Sequence, residues 1–193
     1  PFYGGSGIGK TETANYISTC LEEKIFRKQF SMFQNNQFST YLFGGPHYEK
    51  SFAKDLLDRE SNVILLDEFD KAHPIFHSVF YQLFDEGIFE DQNYIVQLKK
   101  SVIICTSNYR DEDEIRKELG DAIFNRFDVV IRFNDLSEDA KLKIAEMSIL
   151  EVQMKYKEEK GIEMSEQYLN SLKSVAVKCR NAREIHHLVS GTF

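Results

Sequence analysis

Apolar positions along the chain change their period several times, and each change marks a separate element. Thr11 to about Glu23 carries Ala14, Ile17 and Leu21 at helical spacing, which predicts a helix. Arg27 to Phe33 alternates weakly, as a short strand does. Gln34 to Lys50 is polar and aromatic and contains Gly44, Gly45 and Pro46, so it reads as a loop. Phe52 to Leu57 predicts a short helix. Val63, Ile64, Leu65 and Leu66 form an unbroken apolar run, which a parallel strand covered on both faces requires. His73 and Pro74 open a helix that runs to about Asp85, with Phe76, Val79, Phe80, Leu83 and Phe84 on its apolar side. Ile88 to Leu98 holds two alternating runs around Asp91, Gln92 and Asn93, the pattern of a hairpin. Val102 to Cys105 predicts a third strand, Asp111 to Leu119 a charged helix, and Val129, Val130, Ile131 and Phe133 a fourth strand.

Beyond Asn134 the pattern is helical throughout. Ser137 fits an N-cap with Glu138 and Asp139 in the first turn, and Leu142, Ala145, Ile149 and Val152 continue at helical spacing to about Lys160, before Gly161. Ser165 caps another helix and a third begins near Ala182. The expectation is an α/β layer over residues 1–134 followed by a small all-helical subdomain over 135–193. Pro1, Phe2 and Tyr3 read as the last residues of a strand, so the first strand is expected to be truncated and the chain a piece of a longer protein.

Composition narrows the function. The 193 residues suffice for a sizeable core, and 42% hydrophobic content with 16 Phe and 9 Tyr excludes a disordered chain. No apolar run approaches the ~20 residues that cross a bilayer, so a soluble cytoplasmic protein without a membrane partner is expected. A net charge of -7 argues against a broad sequence-independent grip on nucleic acid. Cys20, Cys105 and Cys179 are isolated and without metal-ligand spacing, as thiols in a reducing compartment are.

Three stretches carry chemistry. Gly4, Gly5, Ser6, Gly7, Ile8, Gly9, Lys10 and Thr11 satisfy the phosphate-loop pattern G-x-x-x-x-G-K-[ST], in which glycines let backbone N–H groups converge on phosphate oxygens at a helix start. Lys10 then reaches the β- and γ-phosphates and the Thr11 hydroxyl holds Mg²⁺. The plain alternative is a flexible glycine-rich turn. Asp67 and Glu68 close the Val63 strand, where ligands bind in open α/β sheets. Asp67 suits orientation of the Mg²⁺ shell and Glu68 suits a general base for water, unless both acids merely solvate the strand end. Asn108, after Thr106 and Ser107, ends the Val102 strand and can bond a γ-phosphate or the attacking water. Seen alone, it is more often a turn residue.

The segments GGSGIGKT, VILLDEFDKAHP, CTSN, NRFD and NARE, in this order and at these intervals, resemble the nucleotide-binding domain of Clp-type AAA+ chaperones and unfoldases. The resemblance implies a P-loop NTPase sheet flanked by helices and a small helical AAA+ lid. It also implies ATP and Mg²⁺ held by Gly5, Ser6, Gly7, Ile8, Gly9, Lys10, Thr11 and Glu12, with Thr11 and Asp67 on the metal. Glu68, Asn108, Arg126 and Arg183 carry catalysis in this reading. Arg126, in Asn125-Arg126-Phe127-Asp128, is similar to an arginine finger entering a neighbouring subunit, and Arg183 is similar to a sensor on the lid. Without the resemblance, Arg126 reads as an ion pair to Asp128 or Asp135, and Arg183 as an exposed helix arginine.

Some positions depart from the family. The stretch Gly44, Gly45, Pro46, His47, Tyr48 is shorter than the polypeptide-gripping loop, so Tyr48 either grips from a displaced position or packs. Ile88 stands where the family carries a basic residue. No Ile-Gly-Phe or Ile-Gly-Leu tripeptide lies between Asn108 and Arg126, so a peptidase partner is not expected. The implied protein is an ATP hydrolase, assembled as a homo-oligomeric, hexameric ring, that remodels or unfolds protein substrates. A nucleotide-gated assembly module without threading, and a nucleic-acid remodeller, are the alternatives.

Overall fold

The computed structural model describes residues 1–32, 37–72, 74–161 and 165–191. By their contacts they form two compact units, residues 1–4 with 10–133, and residues 5–9 with 134–193. The five loop residues thus group with the helical segment.

In the first unit the chain runs through β1 (Phe2–Tyr3), α1 (Lys10–Cys20), β2 (Ile25–Gln29), α2 (Gln37–Phe43), α3 (Phe52–Leu57), β3 (Val63–Asp67), α4 (Tyr81–Glu86), β4 (Ile88–Glu90), β5 (Ile95–Gln97), β6 (Val102–Cys105), α5 (Glu112–Leu119), α6 (Asp121–Phe124) and β7 (Ile131–Arg132). Strands β2, β3 and β6 pair in parallel in that order. Parallel β1 and β7 form a second ladder, joined to the first by a bridge between Phe2 and Thr106. This is an α/β arrangement of parallel strands with helices.

Each residue of β3 is buried, and its parity decides what it meets. Val63 and Leu65 face Ala14 and Ile17 of α1, while Ile64 and Leu66 face a cluster holding Phe30, Phe38, Phe52, Phe69, Phe80 and Phe89. Phe80, fully buried, packs against the rings of Phe30, Phe52, Phe69, Phe84 and Phe89 at centroid separations of 5.2–6.1 Å, mostly tilted or edge-on, as ring quadrupoles prefer.

Four sequence expectations are corrected. The segment read as a loop contains helix α2, because Phe38 and Leu42, four residues apart, are both buried in the aromatic core. The strand expected over Arg27–Phe33 occupies Ile25–Gln29 and gives way to a 3₁₀ turn at Phe30–Met32, where Phe30 inserts into the core. Phe33 and residues 34–36 lie outside the described residues, as does His73. The helix expected up to Asp85 is 3₁₀ over Pro74–Phe80 and α-helical only from Tyr81. Its three-residue period puts His77 and Phe80 on one side, and both stack or pack on Phe69. The fourth strand shrinks to Ile131–Arg132, which pair with Phe2 and Tyr3 of β1. The hairpin forms as expected: Asp91 Oδ1 accepts from the N–H groups of Asn93 and Tyr94 at 2.8 Å, closing the turn between β4 and β5.

In the second unit α7 (Glu138–Lys160), α8 (Glu166–Ala176) and α9 (Ala182–Gly191) pack around Ala145, Ile149, Leu172, Ala176, Ile185 and Val189. Ser137 and Ser165 accept hydrogen bonds from Ala140 and Tyr168 N–H, the expected N-caps, and Gly161 at φ 67° closes α7. Loop residue Gly7 has φ 72°, a conformation strained for any side chain, and a Cβ there would also crowd the Asn181 side chain at 3.0 Å. Its carbonyl accepts the Ala182 N–H at 2.9 Å.

Removing the ring that ties the aromatic core together has a measurable cost. Phe80→Ala is expected to lose about 3–5 kcal/mol of unfolding free energy, read from the shift in urea midpoint at unchanged slope.

Candidate active site

The parity that buries Leu65 against α1 carries the next residue of that face, Asp67, to the C-terminal end of β3 on the same side. Register puts Gln29 beside Asp67 and Arg27 beside Leu65, and the bridge residue Thr106 follows β6 directly. A polar row of Gln29, Asp67 and Thr106, with Arg27 below it, therefore caps an otherwise apolar face. Helix α1 begins over this face with Lys10 and Thr11 in its first turn.

Asp67 is only 3% exposed, and both of its oxygens are bonded. Oδ1 accepts from Thr11 Oγ1 at 3.2 Å and from Thr106 Oγ1. Oδ2 accepts from Arg27 Nε at 2.9 Å and from Arg27 Nη2. Lys10, also buried, donates from Nζ to the Gly4 carbonyl at 2.9 Å and to Asn108 Oδ1 at 3.2 Å. Burial pushes its ammonium below the ordinary lysine value, opposed by Asp70 and then by Asp67 and Glu68.

Glu68 leaves the strand in the left-handed region, φ 55° and ψ 45°, which for a residue with a side chain is a strained conformation. Its N–H donates to Thr106 Oγ1 at 2.9 Å and the next N–H, of Phe69, donates to the Thr106 carbonyl at 2.8 Å. Thr106 thus holds the turn at both ends, and Gln29 Nε2 donates to Glu68 Oε2 at 3.2 Å. The carboxylate is half-buried and aimed by these contacts.

The structure brings Lys10, Thr11, Asp67, Glu68 and Asn108 together in the first unit. Glu12 is exposed on α1, and Ser6 is exposed in the loop while Ile8 is buried. Gly5 lies near Asp135 within the second unit. Arg126 does not pair with Asp128 or Asp135: its Nε donates to Asp85 Oδ2 at 2.7 Å, its guanidinium lies 4.6 Å from the Tyr81 ring centroid, and it reaches the Ala122 carbonyl. The two acids close in sequence lose to one across the fold, where the Phe84 and Phe127 rings, each next in sequence to a partner of this pair, pack at 5.5 Å. Arg183 is exposed in the first turn of α9. Tyr48 is 87% exposed, so it does not pack.

Sequence reasoning missed Arg27, Gln29 and Thr106. Thr106 stood one residue outside an apolar run, and register across parallel strands is the only signal for the other two.

The donor set fits a magnesium-bound nucleotide better than a bare ion. Among the described residues no group of three His, Cys, Asp or Glu side chains is arranged to hold a metal. A hydroxyl and one carboxylate oxygen, Thr11 and Asp67, meet instead, and Mg²⁺ characteristically takes one or two protein oxygens and completes its shell with phosphate and water. Asp70 Oδ1 is buried with no hydrogen-bond partner, a further unsatisfied oxygen whose charge acts on Lys10. No helix among the described residues is long and apolar enough to cross a membrane.

The chain belongs to the AAA domain family, Cdc48 subfamily, whose family model matches residues 1–169. Its relatives are Clp-type AAA+ ATPases, as the five segments suggested. It is 30% identical to the chaperone protein ClpB of Malacoplasma penetrans over 81% of this chain and 25% of that protein. It is 32% identical to the Clp protease ATP-binding subunit ClpE of Lactococcus lactis over 78% of this chain and 24% of that protein. It is 34% identical to the AAA+ ATPase ClpV1 of Pseudomonas aeruginosa over 54% of this chain and 13% of that protein. The chain spans at most about a quarter of the length of these relatives.

Thr106→Val keeps the shape and removes the hydroxyl that serves Asp67 and Glu68 together. It is expected to cost about 1–3 kcal/mol, the desolvation penalty of a buried group left unpaired, measured by equilibrium urea unfolding against a Thr106→Ser control that retains the hydroxyl.

Proposed function

We propose that the chain is the nucleotide-hydrolysing part of a ring-forming AAA+ ATPase that couples Mg-ATP turnover to the remodelling or unfolding of protein substrates. Residues 1–134 act as the P-loop NTPase subdomain and 135–193 as its helical lid. The observation that carries this reading is the meeting of groups distant in sequence: Thr11 bonds Asp67 across 56 residues and Lys10 bonds Asn108 across 98. Those are the groups that must converge for a triphosphate to be held.

In this reading the backbone of Gly5, Ser6, Gly7, Ile8 and Gly9, with Lys10, binds phosphate oxygens, and Glu12 borders the nucleotide. Thr11 and Asp67 hold Mg²⁺, which when bound supplies positive charge to the phosphate oxygens. Glu68 accepts a proton from the water whose oxygen bonds the γ-phosphorus as the bond to ADP breaks. Asn108 fixes the direction of that water. Arg126, on a surface turn after α6, serves a neighbouring subunit's site, which requires head-to-tail contacts that close into a ring, a hexamer by resemblance. Arg183 reports nucleotide state from the lid. The exposed ring of Tyr48 supports polypeptide gripping over the assembly-module alternative. The working compartment is the cytoplasm, and neither a peptidase nor nucleic acid is a partner.

Lys10→Ala is expected to abolish binding of a fluorescent ATP analogue. Glu68→Gln is expected to retain that binding and lose at least 10²-fold in phosphate release; undiminished release overturns the assignment of the base. For the trans role, Arg126→Ala and Glu68→Gln subunits are each inactive alone and regain measurable turnover when mixed. Mixtures that stay inactive while co-assembling place Arg126 outside the neighbour's chemistry.

A further inference from the structure

We propose that Arg27 is a positioning residue that acts as the internal counter-ion of Asp67 and yields to the divalent cation when nucleotide binds. This rests on Asp67 being the metal-orienting acid. Asp67 is a carboxylate on a strand whose every residue is buried, so it has little room to move and is nearly cut off from water. A buried carboxylate without a positive partner is costly, and hydroxyls alone do not neutralise it. Arg27 supplies the charge, placing Nε and Nη2 on a single oxygen, Oδ2, and leaving Oδ1 to Thr11 and Thr106.

The two partners differ in freedom. The Asp67 side chain is 5% exposed and the Arg27 side chain 46%. Among the described residues β2 is the outer strand of its ladder, paired with β3, and the Arg27 side chain is nearly half exposed there. Its guanidinium can swing into water without leaving a buried cation behind, whereas the carboxylate stays. Lys10 shares the field of Asp67, but its Nζ donates to the Gly4 carbonyl and to Asn108 Oδ1, whereas Arg27 donates to the carboxylate itself. Arg27 and the metal therefore draw on the same negative charge, and the arginine holds the carboxylate in place while the metal is absent.

The test measures metal dependence rather than turnover. A fluorescent ADP analogue at fixed concentration is titrated with Mg²⁺, and urea unfolding is followed in EDTA and in Mg²⁺ with ADP. Arg27→Gln is expected to lower the half-saturating Mg²⁺ concentration about tenfold, since the competing cation is gone, and to shift the urea midpoint down in EDTA by more than in Mg²⁺ with ADP. Arg27→Lys keeps the charge and falls between parent and Gln variant. An unchanged or higher Mg²⁺ midpoint in Arg27→Gln overturns the proposal, because a purely structural arginine would move stability and leave the metal titration alone. Should Arg27→Gln fail to fold, the double variant Arg27→Gln with Asp67→Asn decides. Recovery of folding supports a charge pair, and continued unfolding overturns it. If the parent binds no ADP at any Mg²⁺ concentration, the nucleotide reading fails instead, and the EDTA comparison of single and double variants still tests the pairing.

Discussion

A negative charge sealed into the end of a parallel strand constrains everything around it. Asp67 cannot be solvated, so each neighbouring element must bring a donor. Helix α1 brings Thr11, strand β2 brings Arg27, and the end of β6 brings Thr106. These bonds fix the register of β2, β3 and β6 at the polar end of the α1 face of the sheet. The hydrophobic faces are nonspecific by comparison, because a residue-wise slip among Val63, Ile64, Leu65 and Leu66 exchanges one apolar side chain for another, whereas the same slip would bury the carboxylate among phenylalanines.

What the sequence revealed about this arrangement depended on whether the signal was local. The apolar run ending in two acids is contiguous, so strand β3 and the placement of Asp67 at its tip were readable without any tertiary knowledge. Ser137, Ser165 and Gly161 were readable for the same reason, since a cap acts within one turn. Arg27 was not. Its value lies in facing the same side as Leu65, and strand register is a property of two segments, of which β2 alternates too weakly to announce its own inward face. Helix α2 was hidden by composition: Phe38 and Leu42 have helical spacing, but they sit among polar and glycine-rich neighbours that resemble a loop. Arg126 illustrates the complementary error, in which nearness along the chain suggested Asp128 or Asp135 while the fold delivered Asp85.

Glu68 follows from the same constraint. The strand ends because its last buried residue is charged, and the chain turns at once through a left-handed residue, a conformation that costs of order 1–3 kcal/mol where no glycine relieves it. Thr106 anchors both sides of that turn, through its hydroxyl to Glu68 N–H and its carbonyl to Phe69 N–H. The turn separates two consecutive carboxylates: one is held in the sheet, and the other is half-buried beyond it, in contact with Gln29. Adjacent acids with such different surroundings are suited to different tasks, one to orient a cation and the other to exchange a proton.

Apart from the unsatisfied Asp70 Oδ1, the charged groups of this site are bonded to their neighbours. Lys10 rests on Gly4 and Asn108, and Thr11 and Arg27 rest on Asp67. A ligand entering here replaces hydrogen bonds instead of creating them, so a neutral molecule of the right shape gains little. Net gain requires charge, because only an anion can compensate Lys10 and only a cation can compensate Asp67 better than the partners they already have. A ligand that supplies both signs at once, fixed at the distance between a lysine and a carboxylate, satisfies that requirement, and a metal-chelated polyphosphate is such a ligand. In the proposed reading, selectivity for such a ligand follows from the pairing of Lys10 and Asp67 with their protein partners before anything binds.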